Sequence, residues 1–184
     1  MTVARYLIDK GSSRLTIRAF ATGMLSAFGH NPTIAVRDFN GEVVFSPESP
    51  GDSSLRLDVR ADSLEVTDDI SSKDRREMER AMNEDVLESA RYPRIVYESS
   101  SVFLTSAGEG RYRASINGNL SLHGVTETQP VSAQVTLTGD SLRASGELSL
   151  SQTAYGIRLV RVAGGALKLK DELKFNFEIV AREG

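Results

Sequence analysis

The chain has no cysteine and only two histidines. Without cysteine there is neither a disulfide framework nor a thiolate metal site, and the redox compartment stays open. With His30 and His123 as the only imidazoles, a three-histidine zinc site is excluded, and no spacing supports a two-histidine site completed by Asp38, Asp68 or Asp69. No apolar run approaches the ~18 residues of a membrane-spanning helix. Excess charge is missing as well: 22 basic and 25 acidic residues give a net charge of -3, with no basic stripe, which makes no case for nucleic acid or for an anionic surface. The opening MTVARYLIDKGSS lacks the charged and apolar regions of a signal peptide. A soluble, cytoplasmic protein is therefore expected, or a periplasmic one if a leader has been trimmed. No G-x-S-x-G, P-loop or G-x-G-x-x-G occurs, and the GDSL at 139–142 links two alternating runs with no histidine after His123, so it reads as a hairpin turn.

What is present is alternation. From Arg94 to Thr153 four segments of period two follow one another, with turn signals at 107–110, 123–126 and 139–140. One side of the second carries Tyr112, Ala114, Ile116, Gly118, Leu120 and Leu122, and one side of the third Val131, Ala133, Val135 and Leu137. The fourth adds Leu142, Ala144, Gly146, Leu148 and Leu150. Such patterns predict a meander of long antiparallel strands. Before it, Ala4–Ile8 and Arg14–Phe20 read as a first hairpin, Ile34 to Phe45 as a strand bent near Asp38, and Leu55, Leu57 and Val59 as the next strand. Residues 21–32 break the pattern and carry Met24, Leu25 and Phe28, the makings of a lid. A helix is predicted between Ser71 and Ser89, capped by Ser71 or Ser72, with Ile70, Met78, Met82 and Val86 on one face and charges on the other. Tyr92-Pro93 stops it. Leu173, Phe175, Phe177 and Ile179 alternate in the closing strand.

About eight strands and one helix in a single domain over 1–184 predict a mainly β fold, an antiparallel barrel of the lipocalin kind, with a two-sheet sandwich as the alternative. Small inward residues (Gly41, Ala114, Gly118, Ala133, Ala144, Gly146) are expected to leave space. Strands of about 12 residues would make that space roughly 30 Å tall.

Several segments go beyond the generic. EDVLESARYPRIVYESSSV (84–102), NLSLHGVTETQPV (119–131), QTAYGI (152–157) and the closing strand together resemble the YceI-like polyisoprenoid-binding family over nearly the whole chain. The resemblance implies a lipocalin-like barrel with a helix against it, holding a long isoprenoid chain, and binding rather than catalysis. The chain departs from the family pattern at Val86-Leu87, where an aromatic pair is usual, near Arg80, where a histidine is common, and at His30.

The ligand-binding set expected from these readings is Arg18, Phe28, His30, Phe39, Phe45, Tyr97, Phe103, Ile116, Leu120, Leu148, Tyr155, Phe175 and Phe177. Arg18, His30 and Asn31 would meet the headgroup. His123 reads as structural. The partner expected is an isoprenoid lipid or quinone, carried, stored or sensed, with no cofactor, metal, nucleic acid or transmembrane segment, and with a homodimer left open. A C40 chain at ~0.8 kcal/mol per methylene would nominally release about 30 kcal/mol, past the ceiling of real affinities. The alternatives are an enzyme acting on such a lipid through His30, and a filled structural or stress-related barrel.

Overall fold

Period-two segments become strands throughout the computed structural model, in which residues 3–22, 31–162 and 167–184 are described. The strands are β1 (Ala4–Ile8), β2 (Arg14–Arg18), β3 (Ala21–Thr22), β4 (Thr33–Val36), β5 (Phe39–Phe45), β6 (Ser54–Arg60) and β7 (Leu64–Val66). After the helix come β8 (Arg94–Ser106), β9 (Arg111–Leu122), β10 (Val125–Thr128), β11 (Val131–Thr138), β12 (Ser141–Ser151), β13 (Arg161–Val162), β14 (Leu167–Leu169) and β15 (Glu172–Glu183). Eight of them close an antiparallel barrel in the order β1-β5-β6-β8-β9-β11-β12-β15 and back to β1. The meander of four long strands is β8, β9, β11 and β12, as the alternation predicts.

The first hairpin is not there. β1 and β2 do not pair with each other but lie end to end along β15, against residues 181–183 and 174–178. Between them Ser13 stands in for the backbone ladder: its hydroxyl accepts from Val180 N at 2.9 Å, while Asp9 N donates to Val180 O at 2.8 Å. The expected bend near Asp38 is a full break into β4 and β5, and the next strand breaks alike into β6 and β7. These interruptions share one crease, crossed by Lys10–Asp38 at 2.7 Å, Arg60–Asp38 at 3.3 Å and Arg60–Asp62 at 2.9 Å.

On the far side of the crease the sheet continues as β15-β2-β4-β7, and β7 does not reach β8. The chain between them fills the gap. Ser71 caps α1 (Ser72–Ala81), its hydroxyl oxygen accepting from Asp74 N at 3.0 Å. A π-helical turn, Met82–Val86, then carries the helix to buried Leu87. A second gap opens where β10 leaves β11 at Gln129-Pro130 and only β11 pairs with β12. The turn around buried Tyr155 packs there.

One half of the barrel is therefore closed by strands alone, and the other is widened by two insertions. Space sits in the second half. Glycine does not leave room for a ligand, contrary to the expectation from composition. A Cβ on Gly118 would lie 2.5 Å from the Tyr97 ring, one on Gly146 2.6 Å from Phe177, and one on Gly41 2.6 Å from Ile8. The missing side chains make room for large neighbours.

Candidate functional site

The wider half encloses a cavity of about 500 Å³. Barrel strands contribute Leu55, Leu57, Ile95, Tyr97, Leu120 and Phe175, the creased sheet Ile34, Leu64 and Val66, and the helical segment Met78, Met82 and Val86. The helix reaches the cavity because its apolar residues recur every fourth position, so one stripe faces inward while Lys73, Arg76 and Glu84 stay exposed. The floor is Phe177 with Leu55, Val131 and Ile179, which also border a second void of about 60 Å³ in the closed half.

Polar groups are few and mostly committed. Tyr97 donates its hydroxyl to Gln129 O at 3.0 Å, and burial pushes the phenol up to about 12. Gln152, only 4% exposed, donates from Nε2 to Lys170 O at 2.9 Å, and its backbone carbonyl accepts from Tyr155 N and Ile157 N. Gln129 donates to Pro130 O at 3.2 Å. The charged lining residues, Asp74, Glu77 and Arg80, are all exposed, which puts the mouth beside the first turns of α1. Val160 and Leu169, from the segment that forms the small sheet β13-β14-β3, also line the cavity.

Of the expected ligand set, Tyr97, Leu120, Leu148, Phe175 and Phe177 come together on this cavity. Phe45 and Ile116 border the smaller void. Phe39 and Tyr155 are buried in the core outside both linings. Phe103 is 60% exposed and must be removed from the set. Opposite Ser99 and Ser101 the β9 partners are Gly118 and Asn117, so Ser100 is an extra residue, and the bulge turns Phe103 out while Val102 and Leu104 turn in. A run of three serines gives no apolar marker of that slip. Arg18 is exposed on the outside of β2, opposite Lys174, and Asn31 accepts from Ala21 N at 2.9 Å. Phe28 and His30, with Met24 and Leu25, lie outside the described residues. Alternation missed β7 and Gln152; only the helical spacing of Met78, Met82 and Val86 pointed to the other wall.

His123 is not a cavity residue. With Gly124 it makes a two-residue hairpin turn in which both have positive φ, 53° and 74°. Its Nδ1 lies 3.1 Å from Tyr155 O and its Nε2 2.6 Å from Glu88 Oε2, and its ring packs on Tyr92. It ties the end of the helical segment to the β9–β10 turn and to the turn at 153–155. Asp38 is taken up by Lys10 and Arg60, and Asp68 accepts from Thr33 N at 2.8 Å. Among the described residues no cluster of three metal-ligating side chains occurs.

An antiparallel eight-stranded barrel that keeps an apolar cavity open under one helix is a barrel of the lipocalin-like kind. The sequence model of the YceI-like domain matches residues 6–181, and the chain belongs to that family. A UPF0312 protein of Pseudomonas fluorescens is 28% identical over 139 residues, 74% of this chain and 64% of its own length, so the match spans less than two thirds of that relative. A UPF0312 protein of Azotobacter vinelandii is 29% identical over 91% of this chain and 75% of its own. Among solved structures, BcnA of Burkholderia cenocepacia superposes with a TM-score of 0.73 at 19% identity, covering 94% of this chain and 98% of its own. A polyisoprenoid binding domain from Saccharophagus degradans superposes at 0.70 and 15% identity over the full length of both. At these identities the likeness shows the fold.

Proposed function

We propose that the chain holds a linear isoprenoid chain, of a polyprenyl lipid or an isoprenoid quinone, in the 500 Å³ cavity, as its carrier or store. The observation that carries this reading is a lining of aliphatic and aromatic side chains whose charged members sit only at the mouth. The Saccharophagus neighbour, described as polyisoprenoid binding, supports the ligand class. Binding rather than catalysis is favoured because, among the described lining residues, Asp74, Glu77 and Arg80 sit at the exposed mouth, while Tyr97, deeper in, has its hydroxyl donated to a backbone carbonyl and its proton held by burial.

The volume also bounds the ligand. At ~30 Å³ for a group the size of a water molecule, the cavity takes roughly 17 carbons, three to four isoprene units. Burying these releases about 14 kcal/mol before ordering and association costs, inside the affinity ceiling that a fully buried C40 chain would exceed. A longer chain would leave its remainder and headgroup across the mouth.

The test is organic extraction and mass spectrometry of the purified protein beside a mock-purified control. A stoichiometric prenyl lipid or quinone is expected. Absence of any bound lipid, together with no uptake of added farnesyl or geranylgeranyl compounds, would end the reading.

A further inference from the structure

The small sheet beside the cavity sets like charges against each other. Arg161 and Lys168 are direct cross-strand partners, and close by Arg18 and Lys174 are direct partners where β2 meets β15. Like charges directly opposite destabilise a sheet. From Arg158 to Lys170 the chain has four basic residues and no acidic one. Among the described residues, Arg18, Arg158, Arg161, Lys168 and Lys170 have no carboxylate within ion-pair distance. The sequence of residues 23–30 and 163–166 contains no Asp or Glu that could supply one. Lys174 reaches Glu147 at 3.1 Å. The nearest carboxylate along the chain, Asp171, accepts from Ser151 Oγ and Thr153 N, and Glu172 follows it, exposed. Elsewhere around the cavity, residues 73–80 carry four basic and three acidic side chains, close to balance.

We propose that this basic rim docks the protein on an anionic membrane surface, with the cavity mouth beside the bilayer. Cations spread along two strand pairs match a distributed negative charge better than a single small anion. A membrane is favoured over nucleic acid because Val160 and Leu169, from the same segment as Arg161 and Lys168, border the apolar cavity. The net charge of -3 hides the rim, since its balance of acid lies elsewhere on the molecule. Docking goes beyond chain binding and does not need an occupied cavity, so the two are read separately.

The test is co-sedimentation of the whole chain with vesicles of phosphatidylcholine alone and of phosphatidylcholine with phosphatidylglycerol. Binding only to the latter is expected, weakening as salt shortens the screening length from about 10 Å at 0.1 M to about 3 Å at 1 M. At about five-fold per basic side chain near an anionic surface, R161E/K168E should bind at least about twenty-five-fold more weakly. The neutral pair R158Q/K170Q gives a milder version should the reversal disturb folding. R111E/R113E changes net charge equally at the opposite end of β9 and should bind like the wild type. The proposal is overturned if the wild type ignores phosphatidylglycerol, if both charge reversals lose binding alike, or if a DNA duplex binds as tightly and displaces the vesicles. Uptake of a prenyl compound by R161E/K168E in detergent shows that chain binding stands whatever the vesicles report.

Discussion

A single methyl group is more than position 118 can absorb. A Cβ on Gly118 meets the Tyr97 ring and hydroxyl at 2.5 Å on one side and the Glu98 carbonyl at 2.6 Å on another. The ring is a wall of the cavity and its hydroxyl is anchored on Gln129 O, so it cannot swing aside without losing that bond. Gly118→Ala should therefore destabilise the protein by about 1–3 kcal/mol, read as a lower urea midpoint with an unchanged slope. Because part of the clash is with backbone, Tyr97→Leu on top of Gly118→Ala should restore only a fraction. Full restoration would mean that the Glu98 carbonyl moves freely and that the glycine serves the phenol alone.

At the scale of elements, the corner that joins β12 to β15 depends on one carboxylate. Asp171 accepts from Ser151 Oγ at 2.6 Å and from Thr153 N at 2.7 Å, while its backbone carbonyl accepts from Gln152 N. The Ser151 hydroxyl, then the Thr153 amide, hold its carboxyl below the usual carboxylate range. A group with a depressed folded pKa stabilises the protein above its unfolded value, about 3.9 for Asp, and loses that contribution as pH falls through the folded value. Asp9, Asp38 and Glu65, also lowered, act in the same direction. Acidification from pH 5 to pH 2 should lower the urea midpoint, and by less in Asp171→Asn, whose amide has no proton to gain. Equal drops would show that the corner keeps its geometry without the charge.

The same scale explains what the sequence disclosed. Long strands with one buried face announced themselves by period two, as β8, β9, β12 and β15 show, and the helix by its cap and its stripe. Short strands did not: β7 has three residues and β10 follows the His123-Gly124 turn directly, so neither repeats long enough to be told from a loop. Nor did the end-to-end placement of β1 and β2 along β15, because Ser13 replaces a ladder bond and serine is also what a turn would carry. The cavity was expected from small inward residues, yet it arises where strands part and a helix and a turn wedge between them. That partner choice is tertiary and leaves no local mark.

For the whole molecule the consequence is uneven stability. In the closed half β9, β11 and β12 pair continuously over buried Ala114, Ala133, Val135 and Leu142, with Phe45 and Tyr112 edge to face at 5.3 Å. In the wide half α1 has no fully buried residue, and β7 has a strand partner on one side only, β4, its other edge being held by side chains of α1, with Val66 N donating to Glu79 Oε1 at 3.0 Å and Arg75 donating to Val66 O. Few buried side chains, as in α1, and an edge held by side chains rather than by a strand, as in β7, mark segments that open at low free-energy cost. Hydrogen exchange should therefore be fastest, among backbone-bonded amides, in α1 and β7 and slowest in residues 112–116, 133–135 and 142–145. A chain in the cavity touches Met78 and Met82 as well as Leu64 and Val66, and adds apolar contacts that α1, with no buried residue, lacks. Adding a prenyl compound should then slow exchange in α1 and β7 far more than in the closed half, since binding stabilises most the opening that would release the ligand. Uniform slowing at all sites would place the ligand's effect on global unfolding instead, and would mean that the wide half opens only together with the rest of the barrel.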